Sequence, residues 1–305
     1  MAIQRSTIIR GPGAAKTGTV TLHAAGGITC DFTVETNPIP TDLHGEIDRF
    51  VSSRHASTSL TPTGALSAGI IALLFPHQTP EIGASFLGAA DVPFMIHSKA
   101  GQLLTLKNHG VWQPPALRLA ASAPAFSGAA VFRHLVGDNA DPSLPASYYT
   151  LAPAAYADAA YPPAADTITG GAVTAKIGDT EVKSTAGFEL SVQLGWEPVA
   201  SNNEGTVDYT LSSAAASISF QPAAGTEAAL LGLMPAGGIG SRVGSGKEFT
   251  VTRADGLACS IHNAHLLQGP LRWGNVTLRQ GQLAFAALAE LTGGTPGALY
   301  TVTYA

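Results

Sequence analysis

The sequence predicts a mainly β protein made of two tandem β-sandwich or barrel domains, each with one long hairpin and one short α-helix. Three observations predict it. One twenty-residue stretch occurs twice, as GEIDRFVSSRHASTSLTPTG at 45–64 and GTVDYTLSSAAASISFQPAA at 205–224. The segments around both copies alternate apolar and polar residues, the period of a half-buried strand. The length, 305 residues, suits about two domains, and each half is long enough for its own core.

The two copies align without a gap. They share Gly45 with Gly205, Asp48 with Asp208, Ser52-Ser53 with Ser212-Ser213, Ala56 with Ala216 and Pro62 with Pro222. Apolar places agree as well: Ile47 with Val207, Val51 with Leu211, Leu60 with Phe220. A second block, residues 91–115, lies over residues 246–270. There Phe94 meets Phe249, Gly101 meets Gly256, Asn108 meets Asn263, Gln113 meets Gln268 and Pro115 meets Pro270. The offset falls from 160 to 155 between the blocks, so the second copy is shorter where a helix and loop are expected. An internal repeat at this spacing is a duplicated domain rather than a solenoid.

In chain order, residues 1–17 read as an arm outside the first domain, carrying Ile8, Ile9 and Arg10 before a Gly-Pro-Gly break. Residues 18–22 (GTVTL) read as the first strand, matched with residues 171–176. Residues 28–34 place Ile28, Cys30, Phe32 and Val34 on one face, and residues 187–194 repeat this with Phe188, Leu190, Val192 and Leu194. Turn formers follow at 37–40 and 201–204. The repeated stretch then returns as a second strand, with a bulge expected at each Ser-Ser pair. Residues 67–74 and 226–233 read as the helix of each domain, closed by Pro76 and Pro235. Strands at 94–97 and 103–106 mirror those at 249–253 and 259–262, with Gly101 and Gly256 in hairpin turns that need positive φ. Residues 275–279, 283–291 and 300–304 read as the closing strands, and VFRHLV at 131–136 departs from clean alternation. The domains are thus 18–139 and 169–305. The Pro- and Tyr-rich segment 140–168 reads as an extended linker whose tyrosines pack on a surface.

Composition excludes several classes. Only 12% of residues are charged, against about 25% in ordinary globular domains, and the net charge is −5. Residues 1–139 carry nine Lys and Arg against eight Asp and Glu; residues 140–305 carry seven against thirteen. Neither half has the basic surplus that grips nucleic acid through phosphates. Sparse charge with 45% hydrophobic residues suits a chain that buries its surface against copies of itself. The opening MAIQRSTIIRGPG has no apolar signal-peptide core, and the longest apolar run, at 69–75, is too short to span a bilayer.

No constellation for chemistry emerges. The glycine-rich segment 237–247 lacks the first glycine and the Ser or Thr of a phosphate loop, and a strand is expected after it. Cys259, His262 and His265 have metal-like spacing, but the other copy holds Leu104, Lys107 and Gly110 there, and Cys259 reads as a small core residue. The remaining histidines, and Cys30, show no ligand or disulfide pattern. No nucleophile elbow or His-Glu-x-x-His occurs. Asp48 and Asp208, one in each copy, read as hairpin or interface contacts rather than a carboxylate pair. The chain therefore reads as a non-enzyme with no metal and no cofactor.

The order of elements in residues 171–291 carries a resemblance. GTVDYTLSSAAASISFQP, then TEAALLGLM, then EFTVTRADGLACSIH, then VTLRQGQLAFAALAEL before Thr292 is similar to the tail-tube fold of long-tailed bacteriophages. The first half follows the same order more loosely. The resemblance implies a virion structural protein, assembled in the host cytoplasm and used in DNA ejection. In that family six such domains form a ring and rings stack into a tube. The duplicated kind implies three chains in a pseudo-sixfold ring, a homotrimer. DNA then transits the lumen without specific binding, and the other partners are tape-measure, tail-terminator and tail-tip proteins, with no membrane. Ring stacking is expected at the hairpin tips, 36–45 and 195–204, and at the arm. The residues expected there are Ile8, Ile9, Arg10, Asp42, His44 and Asp48, with Trp196, Asn202, Asn203 and Asp208 from the second copy. A tandem β-sandwich that binds carbohydrate or acts as an adhesin is the alternative. It needs exposed aromatic clusters, for which Trp112, Trp196 and Trp273 are the tryptophans present.

Overall fold

A computed structural model describes residues 13–63, 66–86, 92–107, 109–122, 124–135, 149–161, 170–201, 205–223, 230, 232–235, 239, 243, 246–268, 271–273, 278–289, 291–292 and 295–304. The first half contains β1 (Gly13–Thr17), β2 (Val20–Thr41), β3 (Gly45–Thr63), α1 (Ala68–Leu74), β4 (Phe94–Ser98) and β5 (Gln102–Leu106). It continues with β6 (His109–Gln113), β7 (Ala116–Leu119), β8 (Phe126–Ser127), β9 (Ala130–Leu135) and β10 (Tyr149–Pro153). The second half contains β11 (Val173–Ile177), β12 (Thr180–Val182), β13 (Ser184–Ser201), β14 (Gly205–Pro222), β15 (Lys247–Arg253) and β16 (Leu257–Gln268). It ends with β17 (Leu271–Trp273), β18 (Leu278–Gln280), β19 (Leu283–Ala286), β20 (Leu291–Thr292), β21 (Thr295–Pro296) and β22 (Tyr300–Tyr304). The protein is mainly β, with an eight-stranded and a ten-stranded antiparallel sheet.

The long hairpin forms in both halves, β2 with β3 and β13 with β14, and their registers repeat the same irregularities. Pairing passes over Ser52 in one and Ser212 in the other, so the bulge expected at each Ser-Ser pair is present. A second bulge passes over Ile47 and Val207. A third break falls at Ala25/Ile28 and at Ser184/Phe188. Bulges are set by backbone geometry, so three matched ones show one unit built twice.

The rest of each unit corresponds too. β1 pairs β4 with Thr17 opposite Phe94, and β11 pairs β15 with Ile177 opposite Phe249. This corrects the sequence match: residues 13–17, not 18–22, are the counterpart of residues 173–177. Residues 13–17 are therefore a paired strand rather than the end of an arm; residues 1–12 lie outside the described residues. The β4–β5 and β15–β16 turns carry Gly101 at φ 85° and Gly256 at φ 91°, as expected. β9 pairs β3 as β19 pairs β14, bringing Phe132 and Phe285 into matching core places. Phe94 and Phe132 sit 4.9 Å apart, and Phe249 and Phe285 5.4 Å. β9 does alternate: Ala130, Phe132 and His134 are all fully buried. His134 breaks the sequence pattern because it is polar, yet its ring nitrogen meets Thr58 Oγ1 at 2.9 Å inside the core.

The segment read as a linker is partly structural. β10 pairs β5 with Tyr149 opposite Leu106, just as β22 pairs β16 with Tyr300 opposite Ile261. It is an outermost strand of its sheet, where proline is tolerated. Tyr161 is buried and rests with Tyr156 against His97, as the tyrosine content suggested. The first helix is capped by Ser67, whose Oγ accepts from Ile70 N at 3.2 Å, and it buries Ile71 and Leu74. The matching helix at 226–233 falls mostly outside the described residues; of those described there, Leu230 is fully buried. The strand expected over 283–291 stops at Ala286. Among the described residues no helix is long and apolar enough to cross a membrane.

Candidate assembly interface

The ten-stranded sheet is not confined to the second half. β7, from the first half, runs antiparallel along β13, with Leu119 opposite Phe188, Arg118 opposite Glu189 and Leu117 opposite Leu190. Leu117, Leu119 and Ala125 are fully buried there. The backbones come very close. A Cβ at Gly187 would stand 2.6 Å from both Leu119 O and Ala120 Cβ, and Gly187 holds φ 89°, so both space and conformation call for glycine. Gln113 Nε2 donates to Val192 O at 2.5 Å, tying β6 to the same strand.

The far end of the second hairpin is held as well. Residues 83–86 lie along β14. Gly83 N donates to Leu211 O at 2.8 Å, Leu211 N to Ala84 O at 2.9 Å and Phe86 N to Tyr209 O at 2.7 Å. Phe86 packs edge-on against Trp196 at 4.8 Å, and Trp196 Nε1 donates to Trp112 O at 3.0 Å. The Arg133 guanidinium lies 4.0 Å over the Trp112 ring and 4.9 Å from Tyr209. The same Arg133 approaches His55 at 3.0 Å; burial first, and this cation second, lower the His55 pKa. A third contact sets α1 and its following loop on β22, where Phe75 meets Tyr300 and Gln78 Oε1 accepts from Val302 N at 3.3 Å.

The equivalent face of the first hairpin is more exposed, although Phe32 packs against Tyr149 with ring centroids 4.8 Å apart and Ile28 and Cys30 rest against the core. Positions 28, 30, 32 and 51 correspond to 188, 190, 192 and 211 in the matched registers. Phe188, Leu190, Val192 and Leu211 are at most 3% exposed. Phe32 is 45% exposed and Val51 48%, while Ile28 and Cys30 are half-buried. Val34 is exposed on the same face, and Phe50, opposite Asn37, is exposed on the other face. Apolar exposure of this kind marks an interaction surface.

The residues expected at ring contacts fall into three groups. Asp42 and His44 lie in the exposed β2–β3 turn, where His44 N donates to Thr41 Oγ1 at 3.2 Å, and Asp48 caps Arg49 N at 2.7 Å nearby. Trp196 and Asp208 do not project from the tip. Trp196 joins the cluster with Phe86 and Trp112, and Asp208 Oδ2 accepts from Ser85 Oγ at 2.5 Å. Both pack at the junction between the two halves of one chain. Ile8, Ile9, Arg10, Asn202 and Asn203 lie outside the described residues. Sequence reasoning missed β6–β8 and residues 83–86, which make the junction. The pairing of Gln113-Pro114-Pro115 with Gln268 and Pro270 was the signal that could have found the first.

The candidate chemical residues are dispersed. Cys259 is in the core, with its thiol pushed up to about 12 by burial, while His262 reaches Glu248 at 3.8 Å. Among the described residues no group of three or more His, Cys, Asp or Glu is placed to hold a metal. The glycine-rich segment lies largely outside the described residues, and a strand, β15, follows it. No protein-family model matches this chain, and no curated protein matches it in sequence.

Proposed function

We propose that this protein is a structural subunit of a bacteriophage tail tube. Three chains close head to tail into a pseudo-sixfold ring, and rings stack into a conduit for DNA. The observation that carries the reading is the junction inside the chain. The first unit extends the sheet of the second along β13, while the matching hairpin of the first unit leaves Val34 and Val51 about half exposed. A contact of this kind is heterologous: it repeats from unit to unit and ends only when a ring closes. Closure also satisfies strand edges that would otherwise invite aggregation. The count of six units comes from the resemblance to tail-tube proteins, as do the tape-measure, terminator and tip partners. The acidic excess of residues 140–305 disfavours adhesion of DNA passing the lumen. No catalysis and no cofactor enter this reading.

The test is negative-stain electron microscopy of the purified full chain, with mass photometry of the smallest closed species. Rings or tubes built from three chains per ring are the expected result. Monomers throughout would refute the reading, and rings of six chains would refute the stoichiometry.

A further inference from the structure

We infer that the first unit carries an acid-triggered release for the junction: protonation of the opposed pair His109 and His134 loosens β6 and β9, and with them the contacts that hold the second unit's hairpin. This goes beyond the ring reading and does not rest on it.

The two units differ systematically at this pair. His109 on β6 stands opposite His134 on β9, with ring centroids 6.0 Å apart. Each ring meets a threonine: His109 Nε2 lies 3.0 Å from Thr17 Oγ1, and His134 Nε2 lies 2.9 Å from Thr58 Oγ1. In the same ladder the Val111–Phe132 pair corresponds to Leu266–Phe285 of the second unit. That match puts Ala264 in the place of His109 and Ala287 in the place of His134. Ile177 and Ile218 take the places of the two threonines. All four polar places in the first core are thus apolar in the second, so the framework itself does not call for histidine. The second unit's His265 lies opposite Ala286, and its His262 has Glu248 at 3.8 Å.

The surroundings of the pair oppose a positive charge. A neutral imidazole has one donor nitrogen and one acceptor, whereas the cation donates from both. His134 is fully buried, and its Nδ1 has no hydrogen-bond partner among the described residues. Phe94 packs edge-on at 5.3 Å from the His134 ring and 5.4 Å from the His109 ring. Ionisable groups on the neighbouring strands turn elsewhere. Lys16 on β1 donates to Ala160 O at 3.4 Å, and His97 on β4 packs on Tyr156 and Tyr161. Glu35 on β2 and Arg133 on β9 both approach His55 on β3, at 3.9 Å and 3.0 Å. β5 carries no ionisable side chain. Burial first, and His109 second, hold the His134 pKa down at about 3. Acid therefore favours an opened form in which the rings reach water.

The histidine strands are also the junction strands. β6 runs from His109 to Trp112, whose carbonyl accepts from Trp196 Nε1, and to Gln113, whose side chain donates to Val192 O. β9 sets Arg133, next to His134, over the Trp112 ring. Opening this strand pair withdraws the contacts on Trp196 and on β13 together.

The test is hydrogen exchange of the full chain, read by mass spectrometry at two pH values with labelling times corrected for the intrinsic rate. A histidine that titrates at 6.5 when open and at about 3 when closed raises the opening constant about 25-fold between about pH 7 and about pH 5. A loss of protection of that size or more is expected in β3, β6 and β9, and at residues 192–196 and 209–211 of the junction, while β15 and β16 keep theirs. The second unit's own residues, His109→Ala and His134→Ala with Thr17→Ile and Thr58→Ile, are expected to abolish the response. His134→Gln alone, a smaller change, is expected to reduce it, and His265→Ala to leave it intact. Equal loss in both units, no loss at the lower pH, or opening of β6 and β9 with residues 209–211 still protected overturns the inference. So does a response that His134→Gln leaves unchanged or that His265→Ala removes.

Discussion

Replacing Gly187 and Gly27 by alanine, one at a time, separates backbone conformation from close approach. Both residues hold a left-handed φ, 89° and 100°. Forcing an L side chain there costs about 1–2 kcal/mol in either variant. At Gly187 the new Cβ also lies 2.6 Å from Leu119 O and Ala120 Cβ, well inside contact distance. Neither neighbour is the loose end of a long side chain, so β7 must shift, which adds about 1–3 kcal/mol. Gly187→Ala is therefore expected to cost about 2–5 kcal/mol and Gly27→Ala about 1–2 kcal/mol. Urea unfolding under conditions where the chain is monomeric gives both values, with tryptophan emission following Trp112 and Trp196 at the junction. Equal destabilisation of the two variants would refute the close-approach reasoning.

Further outcomes follow from buried polar groups. The Arg253 side chain is fully buried and held by Asp255 through Nε–Oδ1 at 2.9 Å and Nη2–Oδ2 at 2.7 Å, so Asp255→Ala strands a buried cation. A loss of about 3–5 kcal/mol in thermal or urea unfolding is expected, and Asp255→Asn, which keeps an acceptor, should lose less. His134 is pushed down to about 3, first by burial and then by His109, so the unfolded chain takes up its proton near pH 6.5 and the folded chain only far below. The folded state keeps its full stability above pH 6.5 and loses about 3 kcal/mol by pH 4 as the unfolded state binds the extra proton. The matched places in the second unit hold Ala287 for His134 and Ile218 for Thr58, so His134→Ala with Thr58→Ile is expected to flatten the dependence of the urea midpoint between pH 7 and 4. Trp196→Ala removes the bond to Trp112 O and the packing on Phe86, and is expected to cost about 2–4 kcal/mol in urea unfolding, with faster proteolysis between the halves.

Local pattern sufficed for the hairpins, the Ser-Ser bulges, the capped helix at Ala68–Leu74 and the glycine turns at 101 and 256. Each rests on period-two alternation or turn chemistry carried by neighbours in sequence. Gly13–Thr17 was not legible as a strand because its small residues follow a Gly-Pro-Gly break and its partners lie near residue 96. Nor was Tyr149–Pro153, since an outermost strand tolerates proline and so resembles a linker.

Trp196 shows the boundary most clearly. By itself the sequence determined that this residue sits on a strand of a duplicated hairpin, because the repeat and its alternation are written residue by residue. Which surface the indole meets was decided only by tertiary structure, because the partners, Phe86 and Trp112, come from a loop and a strand about a hundred residues away. The same holds for the two apolar hairpin faces, alike in sequence. Folding pairs β7 along β13 and sets Tyr149 against Phe32 of the other, and strand pairing across such distances depends on chain topology that no local pattern encodes.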